Sequence, residues 1–226
     1  MQNSRDPVSI KIEGEHLAAA TTKFKNRDFH GTITECDKVL SLNANSELAY
    51  QWKGTAKFKL GDYSGSIAEF NKAIKLKPEF AKAYNYRALA KVELKDFKGA
   101  LDDFNKAIEL HPNLVNIYNN RGFIYRKLEM NNEAKSDFVK ALKVNPKSSV
   151  SYFNLAFVNE KLGEKEEAIQ NYNRAVSFNN SFGRAYYRRA LVKISLGDVE
   201  NACLDLNRAV ELGYSQAKKI VSKYCK

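Results

Sequence analysis

Apolar residues recur at helical spacing along most of the chain, and the pattern itself returns every 34 residues. A frame opening at Glu13, Glu47, Ala81, Val115, Ser149 and Gly183 runs to Tyr214 without insertion or deletion. Position 4 of the frame holds His16, Tyr50, Tyr84, Tyr118, Tyr152 and Tyr186. Position 8 is small throughout: Ala20, Gly54, Ala88, Gly122, Ala156 and Ala190. Position 20 is also small, from Thr32 and Ser66 to Ala202. Position 24 carries Cys36, Phe70, Phe104, Phe138, Tyr172 and Leu206.

Each column has a physical reason. Small residues at positions 8 and 20 let two helix backbones approach, and the bulky residue at 24 fills the space beside them. The Leu-Gly-Asp runs at 60–62 and 196–198 place glycine past a helix end and then restart the chain. Pro78, Pro112 and Pro146 close the second helix of the middle repeats. Each repeat is therefore expected to be two antiparallel helices that bury their apolar faces only by stacking on neighbours. Beyond the last repeat, Ala217, Ile220, Val221 and Tyr224 form one apolar stripe behind Ser215, a candidate N-cap. This predicts a terminal helix covering the final repeat.

Composition narrows the picture only a little. The chain has 226 residues, with 4 prolines and 11 glycines, which favours an all-α protein. The net charge of +11 comes from lysines spread along every repeat, not from a basic run, so it reads first as solubility and only weakly as nucleic-acid binding. Cys36, Cys203 and Cys225 lack metal-ligand spacing, and cysteines inside helical patterns act as small hydrophobes, which suggests a reducing compartment. No apolar stretch is long enough for a membrane span, and no signal peptide stands in the chain as given, so the expected location is cytoplasmic. His16, His30 and His111 lie far apart, and no phosphate loop, nucleophile elbow or metal cluster appears. Catalysis, cofactors and small-molecule substrates are not expected.

The columns resemble the tetratricopeptide repeat. The resemblance implies an all-α, right-handed superhelical solenoid with repeats at 13–46, 47–80, 81–114, 115–148, 149–182 and 183–214, an N-terminal tail at 1–12 and a capping helix at 215–226. It also implies a non-enzymatic scaffold whose first helices line a concave groove for extended peptides or partner segments. On a helical wheel, positions 2, 5, 6, 9, 12 and 13 of the first helix face that groove.

That face is unusually rich in rings: Trp52, Phe58, Tyr86, Phe123, Phe153, Phe157 and Tyr187. Contiguous exposed apolar surface marks interaction sites, while the competing reading is that the rings pack against the next repeat. Position 12 runs Phe24, Phe58, Val92, Arg126, Glu160 and Ile194. One branch of the family grips a C-terminal carboxylate with Lys and Asn, then Asn, then Lys and Arg over three repeats. Here Asn154 and Arg188 match, Arg184 replaces the lysine, and Asn119 and Phe123 stand where Lys and Asn belong. The candidate partner-binding residues are thus Trp52, Tyr86, Asn119, Asn120, Phe123, Asn154, Phe157, Arg184, Tyr187 and Arg188, with an acidic group expected near repeat 6. Arg87, Arg121 and Arg189, at position 7, read as buried stems with wet guanidiniums. Self-association and basic nucleic-acid binding are the two alternative functions.

Overall fold

The computed structural model describes residues 6–225; residues 1–5 of the expected tail and Lys226 lie outside them. The described chain is an all-α repeat solenoid whose helices gather into two compact units, Met1–Pro112 and Asn113–Lys226. The first contains α1 (Pro7–Lys25), α2 (Phe29–Leu42), α3 (Glu47–Lys59), α4 (Tyr63–Leu76), α5 (Ala81–Glu93) and α6 (Phe97–Leu110). The second contains α7 (Val115–Lys127), α8 (Asn131–Val144), α9 (Ser149–Lys161), α10 (Lys165–Phe178), α11 (Gly183–Ser195), α12 (Val199–Glu211) and α13 (Gln216–Tyr224). Helix α1 starts ahead of the repeat frame: Asp6 accepts the Ser9 amide, Pro7 occupies the first turn, and residues 7–12 are helical.

The repeat columns become packing. Phe70, Phe104, Phe138, Tyr172 and Leu206 are fully buried. A Cβ on Gly54 would stand 3.0 Å from the Phe70 ring, and one on Gly122 would stand 2.9 Å from Phe138, which is why position 8 stays small opposite position 24. The turn inside each repeat needs a left-handed residue at position 15. Gly61, Gly163 and Gly197 supply it freely, whereas Arg27, Lys95 and Glu129 adopt it against their preference. Asp28, Asp62, Asp96 and Asp198 then cap the second helix by accepting an amide three residues on.

The position-7 arginines depart from expectation. Their guanidiniums are not wet: Arg87, Arg121 and Arg189 donate from Nε to Asp103, Asp137 and Asp205 at 2.9, 2.7 and 2.8 Å, and all three aspartates are buried. Arg87 also donates to Asn71 and Arg189 to Asn173, each at 2.7 Å, so one fork ties a first helix to its own partner and to the preceding repeat. Burial alone would lower the Arg121 pKa, but the Asp137 carboxylate outweighs it and raises it. Repeat 5 replaces this pair with Leu155 and Asn171 at the same positions.

The end of the second unit corrects the cysteine reading. Cys203 of α12 and Cys225 form a disulfide with Cα atoms 5.5 Å apart, while Cys36 is a free, buried thiol. Spacing missed the pair because α13 folds back to bring its C-terminal end beside α12. Ala217 is buried against the last repeat with Ile220 and Val221 beside it, as the stripe predicts. Ser215, however, makes no side-chain cap bond, and Tyr224 remains 37% exposed.

Candidate peptide groove

In the first unit the rings assigned to the groove belong largely to packing between repeats. Trp52 is half-buried against the Ala20, Cys36 and Val39 cluster, with its ring 5.2 Å from Phe24. Tyr86 stacks on buried Phe70 at 6.0 Å, and Phe58 meets Tyr63 at 5.5 Å. The second unit absorbs some of its rings likewise. Phe153, only 5% exposed, packs on Phe182 at 4.9 Å, and Tyr187 lies 5.0 Å from Tyr214.

Phe123 and Phe157 differ. Phe123 is 36% exposed, and its neighbours are cations, with the Arg126 guanidinium 4.8 Å and the Lys127 ammonium 5.4 Å from the ring centre. Phe157 carries Arg188 at 4.4 Å, Arg126 at 4.7 Å and Lys161 at 5.9 Å. Arg184 is exposed beside Phe153 at 5.2 Å. Rings attract such cations through their faces, and desolvation strengthens the attraction. Helices α7, α9 and α11 supply these residues from three consecutive repeats, so the regular stacking itself converges them.

The electrostatics are unbalanced. Glu160 is the carboxylate that pairs with this group: its Oε1 lies 3.1 Å from Arg188, and its Oε2 accepts the buried Tyr172 hydroxyl at 3.1 Å. Among the described residues no carboxylate pairs with Arg126 or Arg184. The Nε atoms of both Arg126 and Arg188 are buried without a hydrogen-bond partner. Burial, then the charges of Arg184 and Arg188, lower the Arg126 pKa. Burial also raises that of Tyr172, with Glu160 adding to it.

The asparagines lie on the same unit. Asn119 and Asn120 line a cavity of about 600 Å³ with Asn113, Asn116, Asn145 and Ser148. Asn119 accepts the Ser151 hydroxyl at 3.0 Å, which fastens α7 to α9. Asn154 is half-buried and makes no hydrogen bond to another described residue. The structure therefore gathers Phe123, Phe157, Arg184 and Arg188 around Arg126, places Asn119 and Asn120 in the neighbouring cavity, and assigns Trp52, Tyr86 and Tyr187 packing contacts.

Family models for the tetratricopeptide repeat match residues 54–95, 81–114, 115–148, 138–170 and 183–212. The chain belongs to the tetratricopeptide repeat family. Among curated proteins, none matches it in sequence. Its fold is shared with MamA (22% identity, TM-score 0.67, covering 73% of this chain and 96% of that one). It is also shared with YrrB, described as a TPR protein with an unusual peptide-binding site (19%, TM-score 0.66, 78% and 91%). Pseudomonas aeruginosa PilF aligns over 93% of this chain and 99% of its own, at 17% identity and a TM-score of 0.80.

Within this tetratricopeptide repeat protein, Arg126 and Glu160 are the members of this cluster that sequence reasoning did not single out. Both stand at position 12, a column that mixes Phe, Val, Arg, Glu and Ile. Their signal was the change from apolar residues in repeats 1 to 3 to charged residues in repeats 4 and 5. Among the described residues no helix is long and apolar enough to cross a membrane, and no cluster of candidate metal ligands occurs.

Proposed function

We propose that the protein is a non-enzymatic interaction scaffold that holds an acidic, extended peptide segment in the groove of repeats 4 to 6. The observation that carries this reading is the set Arg126, Arg184 and Arg188, with which Glu160 alone pairs as a carboxylate among the described residues. Like charges brought together at partly desolvated sites repel, and an incoming anion relieves that repulsion while gaining charge-assisted hydrogen bonds. Phe123 and Phe157 would pack against apolar parts of the segment, and Asn119, Asn120 and Asn154 offer amide donors and acceptors for its backbone. The peptide-binding site of the structural neighbour YrrB is consistent with this use of the fold. The Cys203–Cys225 disulfide favours an oxidising compartment over the cytoplasm.

The test is a selection from a random displayed peptide library on the wild-type chain and on Arg126→Gln/Arg184→Gln/Arg188→Gln. Acid-rich sequences should enrich on wild type alone, with both proteins showing the same cooperative melting. Equal enrichment on both removes the groove assignment. A second reading, self-association, draws on Val8, Ile10 and Ile12, which are 61%, 51% and 37% exposed along α1. A monomeric mass across a wide concentration range by sedimentation would remove it.

A further inference from the structure

The arginine cluster contains its own measure of the charge it needs. Three guanidiniums and one carboxylate, Arg126, Arg184, Arg188 and Glu160, leave two positive charges, to which the Lys161 ammonium over the Phe157 ring adds. Glu160 is not a free surface acid that an incoming group could push aside. Its Oε2 accepts the hydroxyl of fully buried Tyr172 while its Oε1 faces Arg188, so it is anchored from the core side. A single carboxylate arriving here would leave one guanidinium unmatched. A phosphoryl group brings nearly two negative charges and three acceptor oxygens, and arginine forks fit such oxygens in pairs.

We infer that the Arg126, Arg184 and Arg188 cluster takes a phosphoryl dianion carried on a phosphorylated side chain of the bound peptide in preference to a single carboxylate. The inference rests on the groove reading above and specifies its ligand. The preference comes from the three guanidiniums; Glu160 opposes any incoming anion, and a dianion more than a monoanion.

The test uses the full chain with its arginine side chains labelled for nuclear magnetic resonance. The probes are a capped alanine pentapeptide bearing central phosphoserine, the same peptide with glutamate, and inorganic phosphate. The phosphopeptide should shift the Arg126 and Arg188 Nε–H signals saturably, about tenfold more tightly than the glutamate peptide, as a second charge-assisted contact implies. Glu160→Gln should tighten both peptides, the phosphopeptide more, and widen the ratio, because losing one fixed negative charge favours a dianion about twice as much as a monoanion. Arg184→Gln, at an exposed position, removes one positive charge and should narrow the ratio even if Glu160→Gln folds poorly. Equal affinities for the two peptides on wild type, or a ratio unmoved in both variants, overturn the inference. Inorganic phosphate binding as tightly as the phosphopeptide overturns its peptide part. Acid-rich library peptides that still bind without any phosphate preference would leave the groove reading standing. Silence of the arginine signals toward every probe, together with no acid-rich enrichment, would end both.

Discussion

Position 12 of one repeat meets position 6 of the next in both units, and the two units use the contact differently. In the first, Phe24 meets Trp52 at 5.2 Å, and the pair closes over a buried cluster. In the second, Glu160 meets Arg188 at 3.1 Å, over a ring that already carries Arg126. On the inner face one fork recurs in both units, as Arg87–Asp103 in the first and Arg121–Asp137 in the second. The scaffold is thus conserved within the molecule, while the outward columns are free to become either cement or site.

The largest effect should come from breaking the shared inner face. Arg121→Leu leaves buried Asp137 without its ion-pair partner and should cost about 3–5 kcal/mol in urea unfolding, whereas Arg87→Leu should cost less because Lys91 still pairs with Asp103 at 2.8 Å. Arg121→Leu/Asp137→Asn copies the Leu155 and Asn171 arrangement of repeat 5 and should recover most of that loss. A double variant no better than the single would mean that repeat 5 relies on something other than this replacement. Next comes the outer face of the first unit. Trp52→Ala should cost about 2–4 kcal/mol because it opens a cavity beside Phe24. It should leave phosphopeptide affinity unchanged in the same titration.

Phe157→Ala inverts that result. Its ring is half-buried and touches cations, so its removal should cost only about 1 kcal/mol or a little more in stability. Without the ring, Arg126 and Arg188 lose the surface that holds them together, and anion affinity should fall by about tenfold or more, roughly one lost charge-assisted contact. Trp52→Ala weakening the anion as much as Phe157→Ala would erase the distinction between cement and site.

Six in-frame copies act as an alignment of the chain with itself, which is why the helix pairs, the small positions 8 and 20 and the ring at 24 were legible. The inner forks were legible in the same way and were overlooked. Arg at position 7 goes with Asp at position 23 in repeats 3, 4 and 6, Lys53 goes with Glu69, and Leu155 goes with Asn171. The groove was only half legible, because convergence depends on which columns of neighbouring repeats touch, and a period says nothing about that. Arg126 reaches the Phe157 ring across one repeat boundary and the charge of Arg188 across two. The disulfide needed the path of α13, which no column records.

The first repeat tests the comparison at its smallest scale, through pH. Ala19 stands at position 7 there, and buried Glu35, at position 23, pairs instead with His16 at 2.6 Å and Lys38 at 3.0 Å. The Lys38 and His16 hydrogen bonds hold the Glu35 pKa below its ordinary 4.5. A carboxyl with a depressed folded-state pKa stabilises the protein above its unfolded value, and that contribution disappears as pH falls through the folded value. Stability followed by urea unfolding should therefore decline below about pH 4.5, the range in which such carboxyls protonate. Glu35→Gln should flatten part of that decline while lowering stability at pH 7. An unchanged acid slope in Glu35→Gln would show that the first repeat, unlike those closed by arginine forks, draws little from its ion pair.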